Sequence, residues 1–155
     1  MALAALLLTG CGSTGSRAGR EARAGEVDDA PVAAFRAHFT DPLYDDSADE
    51  LAPFGSDEGA DLLAEWAERR DELSTTSTVA DVLDQSPPHQ LAPGTLDDAI
   101  AVRSAGFVLL RLTGHIDDAG RRATLAALGR LMDPALFGPE RVLLRQRDDL
   151  RSWRE

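Results

Sequence analysis

Asp57 and Asp61 stand four residues apart, one helical turn, the spacing at which two carboxylates could share a proton or a divalent cation. They close an acidic run made of Asp41, Asp45, Asp46, Asp49, Glu50, Asp57, Glu58 and Asp61, with no basic residue between its ends. Oxygen-rich segments of this kind can bind calcium. The spacing Asp45-x-Ser47-x-Asp49, however, puts Glu50 where a calcium loop of the EF-hand type needs glycine and Ser56 where it needs the bidentate glutamate. A solvated acidic face is therefore favoured, and a carboxylate site for metal-dependent or hydrolytic chemistry near 53–61, built on Asp57 and Asp61, is kept as the alternative.

The three histidines, His38, His89 and His115, lie far apart, with no cysteine or glutamate at ligand spacing and no HExxH pair. A Gly-x-Ser-x-Gly elbow, a phosphate-binding glycine loop and a dinucleotide fingerprint are all missing from the sequence. The expectation is a non-catalytic chain with no cofactor, whose work is binding or scaffolding of a protein partner.

Cys11 is the single cysteine of the sequence, so a disulfide within the chain is excluded. It follows Ala2 to Leu8, an uncharged apolar run of the length of a signal h-region and too short to span a bilayer. The residues Leu8-Thr9-Gly10-Cys11 resemble the lipobox of bacterial lipoproteins, in which an aliphatic residue and two small ones precede the lipidated thiol. Gly12 to Ala30 is built of Gly, Ser, Ala, Arg and Glu with almost no large apolar residue, a composition that cannot bury enough surface to fold. The expected organisation is a signal peptide over 1–10, a flexible tether over 11–30 and a helical domain over 31–155. Lipid on Cys11 would then hold the domain on the cell membrane, facing outside the cytoplasm.

Charge supports hydrocarbon rather than electrostatics as the source of membrane attachment. The formal net charge is −11 and the isoelectric point near 4.6, which repels anionic lipid head groups and nucleic acid alike. All sixteen basic residues are arginine, a skew that fits a GC-rich coding sequence. With 43% hydrophobic residues a folded body is favoured over disorder. Up to residue 100 there are twenty acids and six arginines, and after it ten arginines and seven acids. Arg147, Arg151 and Arg154 fall along one edge of the last helix, where they could meet the acidic segment or face a partner.

The elements that must position these groups are helical. A short helix is expected near 32–38, then loop to Phe54. Over 57–73 Leu62, Leu63, Trp66, Ala67 and Leu73 share one side of a helical wheel, opposite Asp57, Asp61, Glu65, Glu68 and Glu72, with Ser56 as N-cap. A short helix over 77–85 follows. From Leu96 to Leu112 the apolar residues are too many for one stripe, which predicts a central buried helix, although Phe107 to Leu112 alone could be a strand. Asp117 caps a helix over 118–132, and Pro139 suits the first position of a last helix with Val142, Leu143, Leu150 and Trp153 inward. The fold class is all-α, a small single domain of four to six helices.

Two segments carry a family likeness. Residues 49–66, DELAPFGSDEGADLLAEW, and 98–117, DAIAVRSAGFVLLRLTGHID, resemble the two best-marked segments of YfeS-like bacterial proteins. The first matches a pattern through Pro53, Phe54, Gly55, Ser56, Asp57, Gly59 and Asp61, the second through Gly106, Phe107, Gly114, Ile116 and Asp117. The resemblance implies a shared fold and no particular activity.

Overall fold

The computed structural model describes residues 28–84 and 91–154. Six α-helices and two 3-10 turns, with no strand, make up those residues: α1 (Ala33–His38), a 3-10 turn at Pro42–Tyr44, α2 (Asp57–Glu68), a second at Arg70–Glu72, α3 (Val79–Val82), α4 (Leu96–Thr113), α5 (Asp118–Leu131) and α6 (Arg141–Ser152). Cys11, His89 and the expected signal segment lie outside the described residues. No described helix is long and apolar enough to cross a membrane.

α4 is the axis of the domain. Thr95 and Asp98 start it with a reciprocal capping box, Thr95 Oγ1 accepting from the Asp98 N–H at 3.1 Å and Asp98 Oδ2 from the Thr95 N–H at 2.8 Å. Gly114 ends it in the left-handed region at φ 73°, a conformation that costs glycine little. Every residue from Val102 to Leu112 is buried, because α2, α3 and α5 all pack against this helix. Phe107 to Leu112 is thus helical, and its continuous apolar run reflects burial on all sides rather than a strand. Against α5 the backbones come close at Gly106, where a Cβ would lie 2.1 Å from Thr124 Oγ1.

α2 follows the expected wheel, with Leu63, Trp66 and Ala67 buried and Ser56 capping the Gly59 N–H at 3.2 Å. Trp66 donates from Nε1 to the Val82 carbonyl at 2.9 Å, and the Arg69 guanidinium lies 4.4 Å over its ring. The helix stops at Glu68 instead of reaching 73: Arg69 leaves helical geometry and Arg70–Glu72 tightens to 3-10. α3 is also shorter than 77–85, starting on a Thr78/Asp81 capping box and ending before Asp84, which takes φ 50°. The last helix starts at Arg141, not Pro139. Gly138 turns the chain at φ 74° and Glu140 is still extended, so Pro139 serves the approach to the helix.

α1 and the first 3-10 turn supply an aromatic plug. Phe39 stacks on Trp153 with centroids 5.4 Å apart and meets Phe107 edge-on at 5.8 Å, while Tyr44 meets Phe39 edge-on at 5.0 Å. These packed rings bring the segment before α2 and the end of α6 onto one end of α4. Trp66 and Trp153 are 5% and 3% exposed, as expected, although Trp153 is the residue just past the end of α6.

Tyr44 gives this plug a pH readout. It is the single tyrosine of the chain, 1% exposed, and donates its hydroxyl to Asp149 Oδ2 at 2.9 Å. Burial, with Asp149 as acceptor, pushes the phenol far above its ordinary value. Its stabilisation is therefore complete below the unfolded value, about pH 10, and is lost as pH rises above it, because the unfolded chain ionises while the folded chain does not. Tyrosinate absorbance is expected to appear only with loss of helical circular dichroism, and Tyr44→Phe to flatten this alkaline loss. Ionisation before unfolding would contradict the buried placement.

Candidate functional site

The segment from Asp41 to Ser56 wraps over α4, and its own acids hold it. Asp41 Oδ1 accepts from the Leu43 N–H at 3.2 Å, Asp46 Oδ1 from Ala48 and Asp49 at 2.8 and 3.3 Å, and Asp49 Oδ1 from Leu51 at 2.9 Å. Local bonds of this kind are what Asp supplies to turns. Part of the acidic run is thereby explained as turn chemistry.

From beneath, three side chains hold the loop's carbonyls. Arg103 Nη1 donates to Leu51 O at 3.0 Å, Gln146 Nε2 to the same oxygen at 2.6 Å, and Ser104 Oγ to Pro53 O at 3.0 Å. Two glycines permit the approach: a Cβ on Gly55 would lie 1.9 Å from Asp49 O, and one on Gly59 2.5 Å from Pro53 O. Phe54 is buried. Pro53, Phe54, Gly55, Ser56 and Gly59 thus have packing or capping roles. Asp57 and Asp61 are exposed on the outer side of α2, and among the described residues no group of three or more His, Cys, Asp or Glu side chains is placed to hold a metal ion.

The second motif is accounted for in the same way. Gly106 admits Thr124, Gly114 ends α4, and Asp117 caps α5 through Oδ2 on the Gly120 N–H at 2.8 Å while Oδ1 accepts from the Val79 N–H at 2.9 Å. One aspartate therefore joins α3 to α5.

Two arginines of α4, eight residues apart, are buried on either side of the wrapped loop. Arg111 donates to Asp29 O, Tyr44 O and Asp45 Oδ1 at 2.9, 3.0 and 2.9 Å and faces the Phe54 ring at 5.3 Å. It borders a cleft of about 340 Å³ whose apolar wall includes Tyr44, Phe54 and Leu63 and whose rim carries Asp29, Asp45 and Asp46. Arg103 is 1% exposed, has no carboxylate within ion-pair distance among the described residues, and keeps Nε without a hydrogen-bond partner there. Burial pulls its guanidinium down to about 10, against the opposing pull of Asp49 and Glu58; it is still charged at neutral pH. It borders a second cleft, of about 220 Å³, with Glu50, Glu58, Ile100, Leu131 and Phe137.

Sequence patterning missed both arginines as site residues. The signal was present: in a helix buried all round, a polar residue must point inward and find partners.

The other expected positions fall elsewhere. Arg147 pairs with its neighbour Asp148 at 2.9 Å, and Arg154 Nη1 bonds the Arg151 and Trp153 carbonyls at 3.1 and 2.8 Å. Among the described residues, the arginines that ion-pair with the acidic segment are Arg111, on Asp45, and Arg145, 3.9 Å from Asp41. His38 Nε2 bonds Asp149 O at 2.8 Å, and His115 follows α4, its N–H bonding Thr113 Oγ1 at 3.1 Å. Of the stretch expected as tether, residues 28–30 are described. There Arg70 bonds the Asp28 and Ala30 carbonyls at 3.1 and 2.8 Å and Arg111 the Asp29 carbonyl.

Among proteins of known sequence, a 29-residue stretch is 69% identical to the uncharacterized protein YfeS of Escherichia coli (strain K12). That stretch is 19% of this chain and 12% of YfeS. It supports the YfeS-like resemblance over a short length and brings no activity with it. No protein-family profile and no solved structure matches the chain.

Proposed function

We propose that this chain is a membrane-anchored binding module, held by lipid on Cys11 outside the cytoplasm, whose cleft beside Phe54 receives a basic, partly apolar segment of a protein partner. The observation that carries the reading is the composition of that cleft, in which Tyr44, Phe54 and Leu63 offer an apolar wall beneath Asp29, Asp45 and Asp46. An apolar wall gives contact area, and a charged rim selects sign and speeds encounter. Arg111 already has Asp45 as counter-ion, so the negative potential of the rim is left to Asp29 and Asp46. The anchor is supported by the order of apolar run, Leu8-Thr9-Gly10, Cys11 and Gly/Ser-rich stretch.

Labelled peptides alternating arginine with leucine or phenylalanine test the cleft by fluorescence anisotropy. Binding is expected to weaken as salt is raised and with Asp46→Asn, which keeps the oxygen that accepts from Ala48 and Asp49 but removes the charge. Equal affinity for peptides in which glutamate replaces arginine would refute the cleft. The anchor is tested separately by expressing wild type and Cys11→Ser in a Gram-positive host. Wild type should partition with membranes carrying an acylated amino-terminal cysteine, and the variant should lose both. Equal fractionation of the two, with unmodified chains, would overturn it.

A further inference from the structure

The cleft on the opposite side of the wrapped loop, at Arg103, has a different chemistry. Its floor holds a guanidinium that is 1% exposed, with Nε unpartnered and no carboxylate within ion-pair distance among the described residues. Nη1 and Nη2 have neutral acceptors, Leu51 O at 3.0 Å and Ser104 Oγ at 3.5 Å, but a buried charge without a counter-ion in contact is costly, and a negatively charged ligand group would offset that cost. The same cleft is lined by Ser56, Asp57 and Glu58, the start of the twelve-residue α2, where first-turn N–H groups lack helical partners and the helix dipole favours negative charge.

A simple anion fits poorly, however. Glu50, Asp57 and Glu58 stand on the rim, all exposed, and would repel it unless it also brought a positive charge. The opposite wall is apolar, made by Ile100, Leu131 and Phe137. Phe137 is 39% exposed, the one large hydrophobic residue so placed among those described. At about 220 Å³ the space is below the roughly 300–1,000 Å³ of pockets for drug-sized ligands.

We propose that this cleft binds a small zwitterion, a free α-amino acid with an apolar side chain: its carboxylate on Arg103 and the start of α2, its ammonium on Glu50 and Glu58, and its side chain against Ile100, Leu131 and Phe137. The site goes beyond the peptide-binding reading, since it uses the other arginine and the other face of the loop. Each of the three ligand parts has its own partner, so each can be removed separately.

The test is thermal melting and titration calorimetry of the full chain with L-leucine, L-methionine and L-phenylalanine. N-acetyl-L-leucine, L-leucinamide and glycine serve as probes lacking the ammonium, the carboxylate or the side chain. A saturable rise in Tm is expected with a free amino acid. Blocking either charge should weaken binding roughly tenfold or more, the scale of one lost charge-assisted contact. Glu58→Gln and Phe137→Ala, both at exposed positions, should weaken binding while lowering the unliganded Tm only slightly, through the lost first-turn charge or the lost apolar contact, and Arg103→Met should abolish binding. If Arg103→Met does not fold, the two exposed variants decide. No saturable response to any of the three amino acids at millimolar concentration would overturn the proposal, as would N-acetyl-L-leucine binding as well as leucine, or both exposed variants binding like wild type.

Discussion

Trp66→Ala is expected to cost the domain about 3–5 kcal/mol, the range for truncating a large buried aromatic side chain, and to lower Tm by roughly 10–20 °C. Three losses combine. The ring is 5% exposed, between α2 and the core, so a cavity opens where α2 meets α4. Its Nε1–H satisfies the Val82 carbonyl at the end of α3, which would be left without that donor. The Arg69 guanidinium over the ring loses its aromatic face. Trp66→Phe keeps most of the apolar area and loses the hydrogen bond, so it should cost only part of this. Differential scanning calorimetry of the three proteins checks the order, and Trp153 fluorescence in Trp66→Ala reports whether the far end of the bundle stays folded. A Trp66→Ala protein within about 1 kcal/mol of wild type, well below the truncation range, would mean that α2 is not held by this residue.

The helices were legible because their signals are local. Capping at Ser56, Thr95/Asp98 and Asp117, the break at Gly114 and the wheel of 57–68 each depend on residues within a few positions of one another, and local chemistry is what a sequence displays directly. The ends that were misplaced depend on backbone turns instead. The start of α6 is delayed by the left-handed Gly138, and α2 stops at Arg69, whose side chain reaches back to Glu65 at 3.0 Å and forward to Glu72 at 2.9 Å. Neither departure leaves a periodicity in the apolar residues.

The site was less legible, for a physical reason. Carboxylates in a run stand out by composition, which singles out Asp57 and Asp61, both exposed. The two clefts are instead defined by Arg103 and Arg111, whose importance comes from burial that only the packing of α2 and α5 around α4 creates. The apolar excess of 96–112 marks the helix as central, so its arginines must find partners inside, but which partners they find is not written in the helix itself. Long-range bonds such as Arg103 to Leu51 O, across fifty-two positions, have no sequence signature at all.

Gly55→Ala provides the second large effect and bears on what the first motif is for. The added Cβ would lie 1.9 Å from Asp49 O and 2.7 Å from Asp49 C, and both atoms are backbone, so no side-chain rotation relieves the contact. Relief requires moving the 46–51 loop, whose Leu51 carbonyl is fixed by Arg103 and Gln146. The expected loss is therefore at or above the top of the roughly 1–3 kcal/mol that overpacking commonly costs, a fall in Tm of about 10 °C or more. Gly129→Ala is the internal comparison: on α5, with nothing within 4 Å of the added atom, it should stabilise by up to about 1 kcal/mol through helix propensity and reduced chain entropy. The same methyl group thus has opposite signs at two glycines, and chemical denaturation of the pair measures both. If Gly55→Ala were as stable as wild type, the loop would have room to shift, and the close approach at Gly55 would need another explanation. If it is destabilised as expected, the Pro53-to-Gly59 turn is a structural clamp over α4.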